Sequence, residues 1–181
     1  MVDAPAASAV ITVDLPRFGS CTYNEADIFV FPWGLPGFDE LRSFVVIQLP
    51  AQDQIFWLQS LEDLNIALPL GDPFTFFPDY DPKIPNFARL SLDLQNPEDF
   101  TILAVMVGTD GGGTFMNLMA PIIVNLKNHM ARQVPLESGG YTVAMKIPVP
   151  DVLAQLSDAV VAEAVASAEA TAKAQAEAVP D

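Results

Sequence analysis

The chain is short of the side chains that do most enzyme chemistry. It has one histidine, His129, and one cysteine, Cys21. A Ser-His-Asp or Cys-His arrangement would have to use His129, which stands in the polar, basic stretch NLKNHMARQ, a composition that reads as a surface loop and not as a cleft. Zinc asks for several His or Cys ligands, and one of each at unrelated positions makes no site. A lone cysteine also excludes an internal disulfide and fits a reducing compartment, the cytoplasm. Basic residues are few: 8 Lys and Arg face 23 Asp and Glu, for a net charge of −15. Phosphate contacts need clustered cations, so direct nucleic-acid binding is not expected. Long apolar runs are missing as well. None approaches the roughly 20 residues of a spanning helix, and the opening MVDAPAASAVITVDL has no basic segment ahead of an apolar one. Neither a membrane partner nor a secretory signal is expected.

What is present is apolar and finely divided. Composition is 51% hydrophobic against 17% charged, which describes a globular chain. Short runs of Val, Ile, Phe and Leu between turn signals predict strands at about 10–15, 27–31, 43–49, 54–60, 66–70, 100–107, 114–120, 122–127, 132–136 and 142–147. Their number and even spacing predict a mainly β fold, a small antiparallel β-barrel-like domain with short helical turns. GTDGGGT at 108–114 reads as a hairpin loop, and NPED at 96–99 as a turn. Residues 87–94 suit either a strand or a short helix. After Pro150 the composition changes to alanine, with six acids and one lysine. This predicts two parts: a β domain over 1–149 and an acidic, Ala-rich C-terminal helix or tail over 150–181, with Val152, Leu153, Leu156 and Val160 as its apolar stripe.

Other motifs carry little chemistry. GTDGGG lacks the GK[ST] ending of a phosphate-binding loop and is followed by a strand. Asp72, Asp79 and Asp81 lack the spacing of a calcium loop. The carboxylates are many, but no spacing singles out a catalytic pair. No catalytic residue, metal site or cofactor is assigned, and the chain is read as a non-enzyme.

Two stretches are distinctive. FPWGLPGFDELRSF, at 31–44, hangs four aromatic rings on a backbone that its prolines and glycines turn. DPFTFFPDYDP, at 72–82, interleaves Phe74, Phe76, Phe77 and Tyr80 with aspartates and prolines. With FWLQSLED at 56–63 and MNLMAPIIVN at 116–125 between and after them, these segments resemble the FliW family of flagellar assembly factors. The family shows FPxGLPGFxxLxxF, FWLQSxxD, DPFxFFPDY and a VNLxAPIVIN-like strand pair, and here all four occur in that order. The resemblance covers roughly residues 10–149 and leaves the Ala-rich segment outside it. The loop at 109–114 departs from the pattern, with glycines in place of a more acidic, proline-containing sequence.

The resemblance implies a small barrel-like protein of the cytoplasm that works by binding proteins. Its implied partners are CsrA, an RNA-binding translational regulator that it would keep from repressing flagellin mRNA, and flagellin itself, in a partner switch. A monomer is expected. The residues chosen for partner contact are Trp33, Asp72, Phe74, Phe76, Asp79, Tyr80, Asp81, Asn125 and Lys127, because an aromatic and acidic rim suits an apolar helix flanked by Lys and Arg. The structural alternative is that the aromatics are core and the aspartates cap turns. For 31–44, burial of Phe31, Phe38 and Phe44 is expected, with Leu41 and Phe44 packing down from a short helical turn and Trp33 open to either fate. Two other functional classes remain at this point: a β-barrel binder of small ligands or carboxylate-based hydrolase, which predicts a deep polar-lined pocket, and a chaperone-like module that oligomerises through its tail.

Overall fold

The computed structural model describes residues 9–49, 54–108, 113–137 and 139–148. The Ala-rich segment lies outside the described residues. A two-stranded ribbon, β1 (Val10–Leu15) and β2 (Gly19–Asn24), comes first. A 3-10 turn at Glu25–Asp27 follows, then β3 (Phe29–Val30), β4 (Ser43–Gln48), β5 (Phe56–Ser60) and β6 (Ala67–Gly71). Two short helices, α1 (Pro73–Phe76) and α2 (Asn86–Ser91), interrupt the strands before β7 (Phe100–Gly108). The remainder is β8 (Thr114–Met116), β9 (Ile122–Asn125), β10 (Ala131–Gln133) and β11 (Met145–Lys146).

Every ladder among the described residues is antiparallel, and the main sheet runs β10-β9-β7-β6-β5-β4-β3, with β8 joining β7 to β11. The hairpin read at 108–114 is present, with Gly108 opposite Thr114. The barrel expectation holds in outline but not in closure. The two ends of the sheet meet at one isolated bridge, Val30 with Met130, where the Val30 N–H donates to the His129 carbonyl at 2.9 Å. His129 closes the β9–β10 turn at φ +57°, and its ring stacks on Phe29 at 5.2 Å. The left-handed residue therefore belongs to the seam of the sheet.

Strand alternation gives the molecule two cores. Ile102, Ala104 and Met106 of β7 and Ile123 of β9 join one cluster, while Leu103, Val105, Ile122 and Val124 join the other. Inside the curled sheet lie Phe31, Leu35, Phe44, Leu58, Leu70 and Ala131. On the opposite face of β7 and β9, Tyr80, Leu92, Leu118, Leu136 and Ile147 form a covering layer. The sheet thus buries both faces along β7, which is why that strand reads as a continuous apolar run.

The local departures have physical causes. Strand β2, GSCTYN, was not anticipated because polar residues occupy both faces of an exposed ribbon. The ribbon's turn lays Phe18 at 5.4 Å and Arg17 at 4.9 Å on Trp57, covering the outer face of β5. The stretch 87–94 is helical as far as Ser91 and leaves the helix through Asp93 at φ +53°, with the Leu94 N–H returning to the Arg89 carbonyl. The expected helical turn before Phe44 is instead two hydrogen-bonded turns, Phe38 to Leu35 and Leu41 to Phe38. Gly34 is required there: at φ +69°, a Cβ would lie 2.8 Å from the Asp39 carbonyl oxygen.

Candidate functional site

The segment after β6 is built as a roof over the outer cluster. Gly71 crosses so closely that a Cβ would meet Met106 Sδ and Met116 Cε, each at 2.8 Å. Asp72 then caps α1: its Oδ1 accepts from the Phe74 N–H at 2.9 Å and its Oδ2 from the Thr75 hydroxyl at 3.4 Å, with Pro73 at the first helical position. One helical turn sends Phe76, followed by Phe77, down onto the outer cluster and leaves Phe74 43% exposed. Tyr80 is buried, its hydroxyl donating to the Leu118 carbonyl at 2.9 Å and its ring edge-on to Tyr141 at 4.7 Å. Burial, and secondarily the neighbouring Tyr141, pushes the Tyr80 phenol above its ordinary pKa. The Asp81 N–H donates to the Tyr141 hydroxyl, and its carboxylate pairs with Lys83. Asp79 is exposed.

Of the residues expected at a partner surface, Phe76 and Tyr80 turn their side chains to the outer cluster, and Tyr80 fixes the roof to the Leu118 carbonyl. The exposed rim consists of Phe74, Asp79 and Asp81. Asn125 is likewise turned into the fold. It is buried, donates to the carbonyls of Leu92 at 2.8 Å and Asp93 at 3.2 Å, and accepts from the N–H groups of Lys127 and Asn128. One side chain thereby ties the end of α2 to the β9–β10 turn. Lys127 is exposed but engaged, with its ammonium 2.7 Å from the buried Asp99 carboxylate. That hydrogen bond, with help from Asn96, holds the Asp99 carboxyl below its ordinary pKa and correspondingly raises that of Lys127.

Trp33 marks a second surface. Phe31 and Phe44 are fully buried in an edge-on pair at 4.9 Å, Phe38 and Leu41 pack partly against them, and Trp33 is left 44% exposed. Its ring meets the Arg132 guanidinium at 4.4 Å, and Phe87 of α2 covers the same cation at 4.9 Å. Arg132 Nη1 donates to the Ser91 hydroxyl at 3.2 Å. Leu90, one turn along α2 from Phe87, is 82% exposed. Sequence reading missed Arg132, Phe87 and Leu90; the i, i+3 pair on a short helix is a faint signal, and the arginine comes from a strand far along the chain.

A model of the FliW protein family matches residues 12–147, from within β1 to just past β11. The chain belongs to the FliW family. It is 36% identical over 136 residues to Flagellar assembly factor FliW 2 of Desulfotalea psychrophila, which covers 75% of this chain and 89% of that relative. Identity to the flagellar assembly factors FliW of Thermosipho africanus and Pseudothermotoga lettingae is 35% and 38%, over 72% and 70% of this chain and 92% and 82% of theirs. The crystal structure of the flagellar assembly factor FliW superposes with a TM-score of 0.70 at 26% identity, covering 78% of this chain and 99% of that one. FliW membership puts the chain in flagellum biogenesis and agrees with the open, mainly β architecture. Among the described residues, no helix is long and apolar enough to cross a membrane, and no group of three or more His, Cys, Asp or Glu is placed to hold a metal.

Proposed function

We propose that this FliW-family chain is a non-enzymatic, protein-binding regulator of the cytoplasm. It binds the RNA-binding translational regulator CsrA, relieving repression of flagellin mRNA, and binds unexported flagellin in a partner switch. The observation that carries the reading is the unbroken family match over 12–147, which takes in every strand of the sheet and both candidate surfaces. The electrostatics agree with a cationic partner. A net charge of −15 repels RNA and draws a basic, RNA-binding protein, and the rim of Phe74, Asp79 and Asp81 offers an aromatic anchor among carboxylates. The hydrolase alternative has less support, because among the described residues the carboxylate displaced from its ordinary range, Asp99, is shifted toward its ionised form by Lys127 and not poised as an acid.

The test is calorimetric titration of the full chain with purified CsrA and with purified flagellin. Binding of both, each partner displacing the other, is the expected result. Phe74→Ala combined with Asp79→Asn weakens CsrA by about tenfold or more with the fold intact. Failure of the wild-type chain to bind either protein would overturn the reading.

A further inference from the structure

The described chain ends beside an uncovered stretch of its own sheet. Strands β7, β8 and β11 lie side by side, with Val107 opposite Phe115 and Phe115 opposite Lys146. Alternation sends Met106, Met116 and Met145 to the outer cluster, so Val107, Phe115 and Lys146 share the other face. That face continues from Val105, which packs on the inner cluster, but here its cover runs out: Val107 is 55% exposed, Phe115 is half-buried and Lys146 is exposed. Phe115 and Lys146 meet over Gly113, where a Cβ would stand 3.6 Å from the phenyl ring and 3.9 Å from Lys146 Cε. Lys146 forms no ion pair among the described residues, on a chain with 23 Asp and Glu.

We infer that the chain's own C-terminal segment, from Asp151 to about Val161, docks on this face as a helix, seating Val152, Leu153, Leu156 and Val160 on Val107 and Phe115 with its acids near Lys146. Its starting point is at the right place. The Ile147 N–H donates to the Thr114 carbonyl at 2.8 Å, so the chain leaves the sheet at the edge of the face itself. Pro148 and Pro150 keep β11 from continuing, and Asp151 then suits a helix N-cap five residues beyond Lys146. The dimensions agree: three strands span about 10 Å between their outer axes, and a helix over 151–161 is about 16 Å long. So does the charge, since six acids and one lysine follow Pro150 while Lys146 is free to pair. Tethered this closely, the segment outcompetes a second copy through its high effective concentration. The family match stops at residue 147, and the hairpin that departs from the family pattern, 108–114, borders the same edge. The docked helix closes the open end of the inner core and withholds Val107 and Phe115 from other proteins, whatever partners the chain takes elsewhere.

The experiment follows hydrogen exchange by mass spectrometry in the full chain and its Leu156→Asp and Val107→Asp variants, at two protein concentrations, beside a free peptide of residues 149–181. A helix this short is marginal alone, so protection above the peptide reports docking. Expected in the full chain is exchange over 153–161 at least about tenfold slower than in the peptide, independent of concentration. Both substitutions should return it to the peptide rate while β5 and β9 stay protected. A second readout locates the contact without touching the sheet: acylation of the Lys146 ammonium should be about threefold or more faster in Leu156→Asp than in the parent. Because Leu156 lies outside the β domain, that comparison stands even if Val107→Asp impairs folding. Peptide-like exchange in the full chain would overturn the docking. Protection that leaves Lys146 equally reactive in the parent and in Leu156→Asp would put the helix on another face, and protection that falls on dilution would make the occupant a second copy; either result would overturn the assignment.

Discussion

Residues 31–44 and 72–81 are made of the same materials, aromatic rings on a backbone bent by proline, and each leaves one ring half in water: Trp33 at 44% and Phe74 at 43%. They serve different cores. The first turns into the curled sheet, where Phe31 and Phe44 meet edge to edge, and the second roofs the opposite face of β7 through Phe76, Phe77 and Tyr80. They also dress the exposed ring with opposite charge, Arg132 beside Trp33 and carboxylates near Phe74. Similar composition thus yields two exposed rings with different neighbours. Three-quarters of the aromatic content in each segment is structural, and what distinguishes the surfaces is supplied by neighbours from elsewhere in the chain.

The contrast is tested most forcefully in the interiors. Phe44→Ala empties a fully buried site in the inner cluster and should cost about 3–5 kcal/mol of stability, measured by urea unfolding. Loss below about 1 kcal/mol would show that the corner is not anchored by the Phe31–Phe44 pair. Tyr80→Phe keeps the ring in the roof and strands the Leu118 carbonyl, so about 1–2 kcal/mol should go. A variant as stable as the parent would show that the roof is held by packing alone. Asp72→Ala removes the α1 cap at a cost of about 1 kcal/mol.

At the surface the effects on stability shrink while those on binding diverge. Trp33→Ala and Phe74→Ala should each change stability by no more than about 1 kcal/mol. Phe74→Ala, in the acidic rim, should weaken CsrA more than Trp33→Ala does; the reversed order in titrations would move that partner's surface to Trp33. The last prediction concerns Lys127 and is read as a pH dependence. The Asp99 carboxyl is lowered in the folded chain, so its contribution is complete above the unfolded carboxylate range, about pH 4–5, and is lost as pH falls through the folded pKa. In Lys127→Met that acid limb becomes shallower in melting temperatures taken from pH 2 to 7. An unaltered limb would remove Lys127 as the cause of the shift.

Sequence patterning reached the strands better than the surfaces. Strand β1 has the predicted bounds, and β4 and β7 differ from prediction by one residue at the C-terminal end, because bounded apolar runs are local signals. Strands β8, β10 and β11 are shorter than read, since apolar residues such as Leu118, Val134 and Leu136 enter the outer cluster from irregular backbone and mimic strand. Helix α1 was hidden inside what reads as turn chemistry, Asp-Pro, which also opens helices. For the surfaces, alternation places Val30 outside and Phe31 inside, but nothing local distinguishes Tyr80 from Phe74 or reveals that Asn125 is buried. Those outcomes depend on the opposite face of β7 needing a cover. The cluster of Trp33, Phe87 and Arg132 is a convergence of residues from three separated segments, which no single window of sequence contains.

The single bridge between Val30 and Met130 has a kinetic consequence. Hairpins such as β4–β5 and β9–β10 join neighbouring segments and need little loop-closure entropy, whereas the seam unites Val30 and Met130, far apart in sequence. The local hairpins are therefore expected to form before the seam, which should zip last and unzip first. The Val30 amide should exchange its hydrogen with solvent through this partial opening, well before amides in the middle of β5 or β7 do so. Because Trp33 and Arg132 stand just beyond the two sides of that seam, the same brief parting would separate the arginine from the ring without unfolding the rest of the sheet.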